Sequence, residues 1–243
     1  MKIVEICCGG YYDALNAYKG GAKRIELNSA LYLGGLTPSL ASLILTKQNT
    51  DLKVICMIRP RGAGFNYSEE DYLVMKEDCH ILMENGADGI AFGFLNDDYT
   101  INIERTKEIV GIIKSYNGEA VFHRAFDCTK DAYKSIELLI ELGVDRVLTS
   151  GQKDKAMEGK ELIKDLQSKY GDKIEILAGS GINKSNALEM MDYTGISQVH
   201  SSCKDWQEDV TTTGEYVSYR YTDYDQYDVV SEVLVSELIS LVE

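Results

Sequence analysis

Glu119-Ala-Val-Phe-His-Arg-Ala-Phe-Asp127 is the stretch that best indicates how this chain folds. It begins as a β-strand pattern and ends in polar, titratable side chains, namely His123, Arg124 and Asp127. Such groups are costly to bury unless they are paired. An apolar strand that delivers them at its C-terminal end is typical of an α/β scaffold that builds a functional site. The alternative interpretation is a structural Arg124–Asp127 ion pair beside a hydrogen-bonded core histidine.

Strand-like and helix-like patterns alternate along the whole chain. Strands are predicted at 2–8, 24–28, 53–60, 89–95, 119–126, 146–150, 174–179 and 197–202. Helices are predicted at 11–19, 38–48, 68–85, 103–115, 130–142, 156–170, 184–193 and 227–242.

One short phrase recurs before the even-numbered strands. Its copies are Gly21-Ala-Lys-Arg-Ile-Glu-Leu27, Gly86-Ala-Asp-Gly-Ile-Ala-Phe92, Gly143-Val-Asp-Arg-Val-Leu-Thr149 and, more loosely, Gly195-Ile-Ser-Gln-Val-His200. Each glycine is expected to take the left-handed position that ends a helix. Eight such β-α units close most simply into an α/β (β/α)₈ TIM barrel. A doubly wound open sheet is the competitor, but no G-x-G-x-x-G motif follows the first strand.

Composition limits the class of protein. The 243 residues are 44% apolar, and no proline-rich or serine-rich linker interrupts them, which predicts a single domain over 1–243. A net charge of −14 argues against nucleic acid and anionic membranes as partners. No signal peptide or transmembrane run is found, and six scattered cysteines indicate reduced thiols in a cytoplasm.

The segment 204–226 interrupts the regular pattern with Trp206 and several tyrosines among acidic residues. A connection of this length is unusual after the last strand of a tight barrel. We expect it either to fold over the C-terminal mouth or to form a subunit contact. Exposed aromatic residues fit both interpretations.

Strand alternation places several charged side chains inside the barrel near one end. These candidates are Glu5, Glu26, Arg59, His123 and His200, with Asp127 close by. In an enzyme, His123 would be the general acid or base, Glu26 or Glu5 its carboxylate partner, and Arg59 the charge stabiliser. The alternative is an internal salt-bridge network in which Arg59 merely neutralises Glu26.

Small residues follow the seventh and eighth strands, where barrels often bind phosphate. The candidates for anion binding are Gly179, Ser180, Gly181, Ser201 and Ser202. An ordinary tight β-α turn is the alternative. Arg59-Pro-Arg-Gly62 would add positive charge to the same opening, which suits a small anionic ligand.

Cysteines are the candidates for a soft metal, because thiolates select Cu(I), zinc or iron–sulfur clusters. Cys7 lies at the end of the first strand, but no C-x-x-C or zinc-type spacing is present. Cys56 and Cys79 are expected simply to pack in the core.

Taken together, these motifs resemble the copper homeostasis protein CutC family. The matching segments are Glu5-Ile-Cys7, Gly21–Leu27, Gly34-Gly-Leu-Thr-Pro-Ser39, Ile58-Arg-Pro-Arg-Gly62, Phe122-His-Arg-Ala-Phe-Asp127, Arg146-Val-Leu-Thr-Ser-Gly151 and His200-Ser-Ser202. The resemblance implies a cytoplasmic, homo-oligomeric TIM barrel in copper tolerance, with Cu(I) bound by cysteines at the ends of the first two strands. Cys7 matches the first cysteine, whereas Asn28 occupies the second position.

The sequence therefore leaves two main hypotheses. One is copper homeostasis with Cys7 as the principal Cu(I) ligand. The other is an enzyme that acts on a small anionic compound, such as a phosphorylated one, with a histidine as acid or base. A third hypothesis is an interaction role for the tyrosine-rich segment.

Overall fold

The structure is a computed structural model that describes residues 2–242. Eight parallel strands form a closed barrel in chain order, so the (β/α)₈ TIM barrel is confirmed. The strands are β1 Ile3–Cys8, β2 Arg24–Leu27, β3 Lys53–Met57, β4 Gly89–Phe92, β5 Glu119–Phe122, β6 Arg146–Thr149, β7 Glu175–Ala178 and β8 Gln198–Ser201. The surrounding helices are α1 Tyr11–Lys19, α2 Leu40–Asn49, α3 Glu69–Glu84, α4 Ile103–Ser115, α5 Ala132–Glu141, α6 Lys160–Tyr170 and α7 Ala187–Thr194.

The recurring glycines take the conformation that the sequence predicts. Gly21, Gly86, Gly143 and Gly195 have φ angles of 96°, 92°, 81° and 78°. A residue with a Cβ atom is strained in this left-handed region, whereas glycine is not. The glycines therefore let each helix end and turn directly into the next strand.

Strand β5 is shorter than predicted. It ends at Phe122, and a 3-10 helix spans Arg124–Cys128 in place of the expected strand residues. The cause is local, because Nδ1 of His123 accepts a hydrogen bond from the backbone N–H of Ala125 at 3.1 Å. The histidine therefore caps the short helix and marks the point where the strand stops.

Side-chain alternation along the strands separates the two sides of the barrel wall. Val54, Cys56 and Ile58 belong to the large core between strands and helices. Met57 instead belongs to a small interior cluster with Ile55, Ala91 and Val121. The predicted inward direction of Met57 is therefore confirmed.

A network of ion pairs is buried among the barrel strands. The carboxylate of Glu5 lies 2.7 Å from Nε of Arg24 and 3.9 Å from Nη1 of Arg146. Arg146 also reaches Glu119 at 2.9 Å and Glu175 at 2.7 Å. Each buried charge of this network thus has opposite charges around it.

Acid is expected to weaken the fold through Glu5. Burial by itself raises the pKa of Glu5, but Arg24, His200 and Arg146 outweigh it and lower the pKa to about 2. An unfolded glutamate has a pKa of about 4.3. Glu5 therefore stabilises the fold fully above about pH 4.3, and this contribution is lost as the pH falls towards about 2. Urea unfolding at a series of pH values should show this loss in the native protein and a flatter profile in Glu5→Gln; identical profiles would contradict it.

The segment after β8 forms a hairpin in place of an irregular connection. Strands β9 Lys204–Glu208 and β10 Gln226–Val230 pair antiparallel, and the last helix, α8, spans Glu232–Val242. The prediction that this helix begins at 227 is therefore wrong. The base of the hairpin is fixed to α1, because Asp13 accepts a hydrogen bond from the N–H of Val230 at 2.9 Å.

Tyr216, Tyr219 and Tyr224 of the hairpin are strongly exposed, and Tyr221 stacks on Tyr32 with ring centroids 5.0 Å apart. Within residues 2–242, we find no helix that is both long and apolar enough to cross a membrane.

Candidate functional site

A cavity of about 720 Å³ opens at the C-terminal ends of the barrel strands. Its walls include Cys7 of β1, Glu26 of β2, Met57 of β3 and His200 of β8. Arg59 and His123, which follow β3 and β5, lie in the same wall. The volume falls in the range of small-molecule sites, about 300–1,000 Å³.

Cys7, Glu26 and His200 form a compact cluster on one side of this cavity. Their sulfur, oxygen and nitrogen atoms all lie within 4.8 Å of one another, close enough to hold a metal ion. Register explains the proximity, since β1 pairs with both β2 and β8 and places Cys7 opposite Glu26 and Glu5 opposite His200. The closed barrel thus brings together residues that are far apart in sequence.

His200 bridges two carboxylates. Its Nδ1 atom lies 2.9 Å from Glu5, and its Nε2 atom lies 3.9 Å from Glu26. Burial alone lowers the pKa of His200, but Cys7, Glu5 and Glu26 outweigh it and hold the pKa well above its usual value. Burial raises the pKa of Glu26 and of the Cys7 thiol. The cluster therefore favours a positive charge at the position of the imidazole.

Asn28 lies beside the cluster, at the position where the resemblance implies a second cysteine. Its Nδ2 atom donates to Glu26 at 3.0 Å and to the sulfur of Cys7 at 3.6 Å. The amide therefore orients two candidate ligands. Among the other cysteines, Cys203 lines the cavity, Cys8 is buried in the core, and Cys128 is exposed.

Arg59 does not pair with Glu26, so this part of the alternative is wrong, although Glu5 and His200 do belong to an internal ionic network. Its Nη1 atom donates to the carbonyls of Leu33 and Gly35 at 2.9 and 3.1 Å, and Nη2 donates to that of Ala63 at 2.6 Å. Arg61, two residues later, is turned away from the cavity wall and pairs with Asp71 at 2.8 Å. Only one of these two arginines therefore adds its charge to the cavity.

The loop after β7 contributes a second part of the wall. Ser180, Gly181, Ser201 and Ser202 line the cavity, whereas Gly179 packs against Leu148 and His200. The hydroxyl of Ser180 donates to the carbonyl of Asp154 at 2.6 Å, and that of Ser201 donates to the carbonyl of Ile182 at 2.7 Å. Both hydroxyl protons are thus engaged within the protein.

Three lysines at the same rim were missed by the sequence interpretation. They are Lys155, Lys184 and Lys204. Lys184 pairs with Glu237 at 2.6 Å, and Lys204 lies 3.8 Å from Asp228. Lys155 has no ion-pair partner among the residues that the structure describes. Its position follows from the path of the β6–α6 loop, for which the sequence carries no periodic signal.

Asp127 stands apart from the cavity wall and organises the neighbouring loop. It accepts hydrogen bonds from the hydroxyl of Thr149 at 2.5 Å, from the N–H of Ser150 at 3.0 Å and from the N–H of Gln152 at 3.2 Å. It also pairs with Arg124 at 2.8 Å. The ion pair of Arg124 with Asp127 that this interpretation expects is therefore present.

Replacing Asp127 by asparagine is expected to lower the free energy of unfolding by about 3 kcal/mol, since hydrogen bonds to a charged group contribute about 1.5–3 kcal/mol each. The amide offers a single acceptor oxygen to the donors that now share two. Urea unfolding measures the change. Asp165→Asn, at an exposed pair with Lys169, is the matched control and should change stability little. Equal effects of the two substitutions would contradict the assignment.

Known proteins resemble this chain over most of its length. A family model described as the CutC family matches residues 2–205. A CutC family protein of Treponema denticola is 43% identical over 241 residues, which cover 99% of this chain and 97% of that protein. A human protein named copper homeostasis protein cutC homolog is 39% identical over 202 residues, which cover 83% of this chain and 73% of that protein. A crystal structure described as a copper homeostasis protein CutC from Streptococcus agalactiae has a TM-score of 0.78 and 30% identity, covering 83% of this chain and 99% of that one.

Proposed function

The chain belongs to the CutC family, and from this premise we propose that it acts in copper homeostasis by binding Cu(I) at Cys7, His200 and Glu26. The observation that carries the proposal is the convergence of a thiol, an imidazole and a carboxylate within 4.8 Å in a cavity wall. The choice of copper as the metal rests on the names of the human and mouse relatives, copper homeostasis protein cutC homolog.

The donor set suits a soft or borderline ion. Thiolate sulfur favours Cu(I), and imidazole binds copper and zinc readily. Asn28, at the second cysteine position, donates hydrogen bonds to Cys7 and Glu26. It would therefore orient these two ligands and would not bind the metal itself. We therefore expect one thiolate and one imidazole as the main ligands, with the carboxylate of Glu26 as a weaker oxygen donor.

A competition titration tests the proposal. Reduced protein carrying Cys128→Ser, which removes the exposed thiol, is titrated with Cu(I) against a chromophoric chelator. We expect one tightly bound Cu(I) per chain and weaker binding of Zn²⁺. Failure of the protein to withdraw Cu(I) from the chelator would contradict the proposal.

A second candidate function is catalysis on a small anionic compound. The observation that favours it is the cavity itself, whose volume of about 720 Å³ far exceeds the size of one ion. Its wall also carries positive side chains, among them Arg59 and Lys155, although the whole chain is acidic. Anionic ligands would be attracted to this opening.

A thermal-shift screen of anionic metabolites on the metal-free protein tests the second candidate. A ligand at 100 times its Kd is expected to stabilise the fold by about 2.7 kcal/mol. Lys155→Ala should weaken binding of a true cavity ligand, whereas Lys134→Ala, at an exposed position in α5, should leave it unchanged. An anion that stabilises both variants equally would not be bound in this cavity.

We further propose a cytoplasmic protein that assembles as a homo-oligomer. All six cysteines are free, which suits a reducing compartment. The exposed tyrosines of the β9–β10 hairpin offer a contact surface. Light scattering on the full chain and on Tyr216→Ser/Tyr219→Ser tests assembly, and a monomeric native protein would contradict it.

A further inference from the structure

Arg59 differs from the other buried arginines of the barrel. Arg24 and Arg146 each face carboxylates at 2.7–2.9 Å. Arg59 is 5% exposed, yet within residues 2–242 it has no ion-pair partner. Its Nη atoms bond to neutral carbonyls, and its Nε atom has no hydrogen-bond partner in the described structure. A buried positive charge of this kind calls for an anion.

His123, like Arg59, has a buried ring nitrogen without a hydrogen-bond partner among the described residues. Its Nδ1 atom accepts the N–H of Ala125, so the neutral ring carries its proton on Nε2. Burial and the charge of Arg59 lower its pKa to about 3, which keeps the ring neutral near pH 7. The Nε2 atom is buried and has no partner among the described residues. Such a ring is a hydrogen-bond donor and a poor base, in contrast to the acid–base role that the sequence suggests.

Arg59 and His123 share Phe65 as a neighbour. The ring of Phe65 is 5.0 Å from that of His123, and its centroid is 5.2 Å from Cζ of Arg59. All three residues line the cavity. Arg59 and His123 are therefore neighbours of the same aromatic ring in the cavity wall.

From this arrangement we propose that Arg59 and His123 form a subsite for the carboxylate group of a small-molecule ligand. One positive charge and two single N–H donors match a planar monoanion, with one oxygen for each donor. Phosphate carries more charge and more acceptor oxygens than this pair can satisfy. A metal ion is disfavoured by the charge of Arg59.

The inference deepens the second candidate function, on which it rests, because it names a chemical group of the compound. A carboxylate held here leaves the rest of the ligand in the cavity, whose wall also holds Glu26 and the rim lysines. The subsite is separate from the loop after β7, where the sequence predicts anion binding.

Nitrogen-15 NMR of histidine- and arginine-labelled protein tests the subsite directly. Pyruvate is the probe, and pyruvamide is its neutral counterpart of the same shape. We expect pyruvate to cause saturable shifts of the His123 Nε2–H and Arg59 Nε–H signals. The affinity for pyruvamide, measured from the same signals, should be at least about tenfold lower. No saturable shift with pyruvate, acetate or malonate would overturn the proposal, as would equal shifts with pyruvamide or shifts with inorganic phosphate alone.

Matched variants sharpen the test. Arg59→Gln should weaken pyruvate binding by at least about tenfold, whereas Arg61→Gln, which removes the same charge outside the cavity wall, should leave it unchanged. If Arg59→Gln fails to fold, the comparison of pyruvate with pyruvamide on the native protein still decides. Binding is read without turnover, so a carboxylate that binds and is not converted would contradict catalysis and support the subsite.

Discussion

Replacing Cys7 by alanine is expected to lower the affinity for Cu(I) by more than about 100-fold. Groups that only orient a ligand typically contribute 10–100-fold in metal affinity, and removal of the single thiolate in the cluster should exceed this. The remaining donors, Glu26 and His200, are an oxygen and a nitrogen, for which Cu(I) has less preference than for sulfur. Competition against a chromophoric chelator measures the change.

The control for this experiment is Cys8→Ala, in the same Cys128→Ser background. Cys8 is the next thiol along β1, but it is buried on the helix side of the barrel wall. Its removal should leave the Cu(I) affinity unchanged. An affinity that survives Cys7→Ala, or that falls equally in Cys8→Ala, would exclude Cys7 as the principal ligand.

Replacing Glu5 by glutamine is expected to lower the free energy of unfolding by about 3–5 kcal/mol, the usual cost of breaking a buried ion pair from one side. The amide keeps the shape of the side chain but removes the negative charge that Arg24, Arg146 and His200 surround. Three buried positive groups would then lose the negative charge that they share. This loss is large compared with a typical stability of about 5–15 kcal/mol.

Glu189→Gln is the matched control for Glu5. It makes the same chemical change at an exposed pair with Lys160 and should alter stability little. Urea unfolding of both variants provides the comparison. Similar losses in the two would show that the barrel interior does not depend on the charge of Glu5.

Much of the fold can be read from the sequence because local signals repeat. The glycine phrase before every second strand fixes where helices end, and its left-handed glycines are found where expected. The hairpin could not be read in the same way. The chain at 226–230 continues into an apolar helix pattern, and its strand character comes from antiparallel pairing with 204–208. That pairing is a long-range contact and leaves no local pattern.

The candidate site was predictable in its position and less so in its bonding. Side-chain alternation along the strands correctly predicted that one cavity wall contains Glu26, Arg59, His123 and His200. It could not show that Arg59 bonds to loop carbonyls, because the path of those loops is not encoded in strand periodicity. Arg146 was missed as a partner of Glu5, although it opens β6 with the inward parity that the same rule would give.

Anomalous diffraction at the copper edge, from crystals of the Cys128→Ser protein loaded with Cu(I), tests the central claim most directly. The proposed function predicts one strong peak in the barrel cavity, at bonding distance from Sγ of Cys7 and Nε2 of His200. A peak elsewhere on the molecule, with no copper in the cavity, would contradict it.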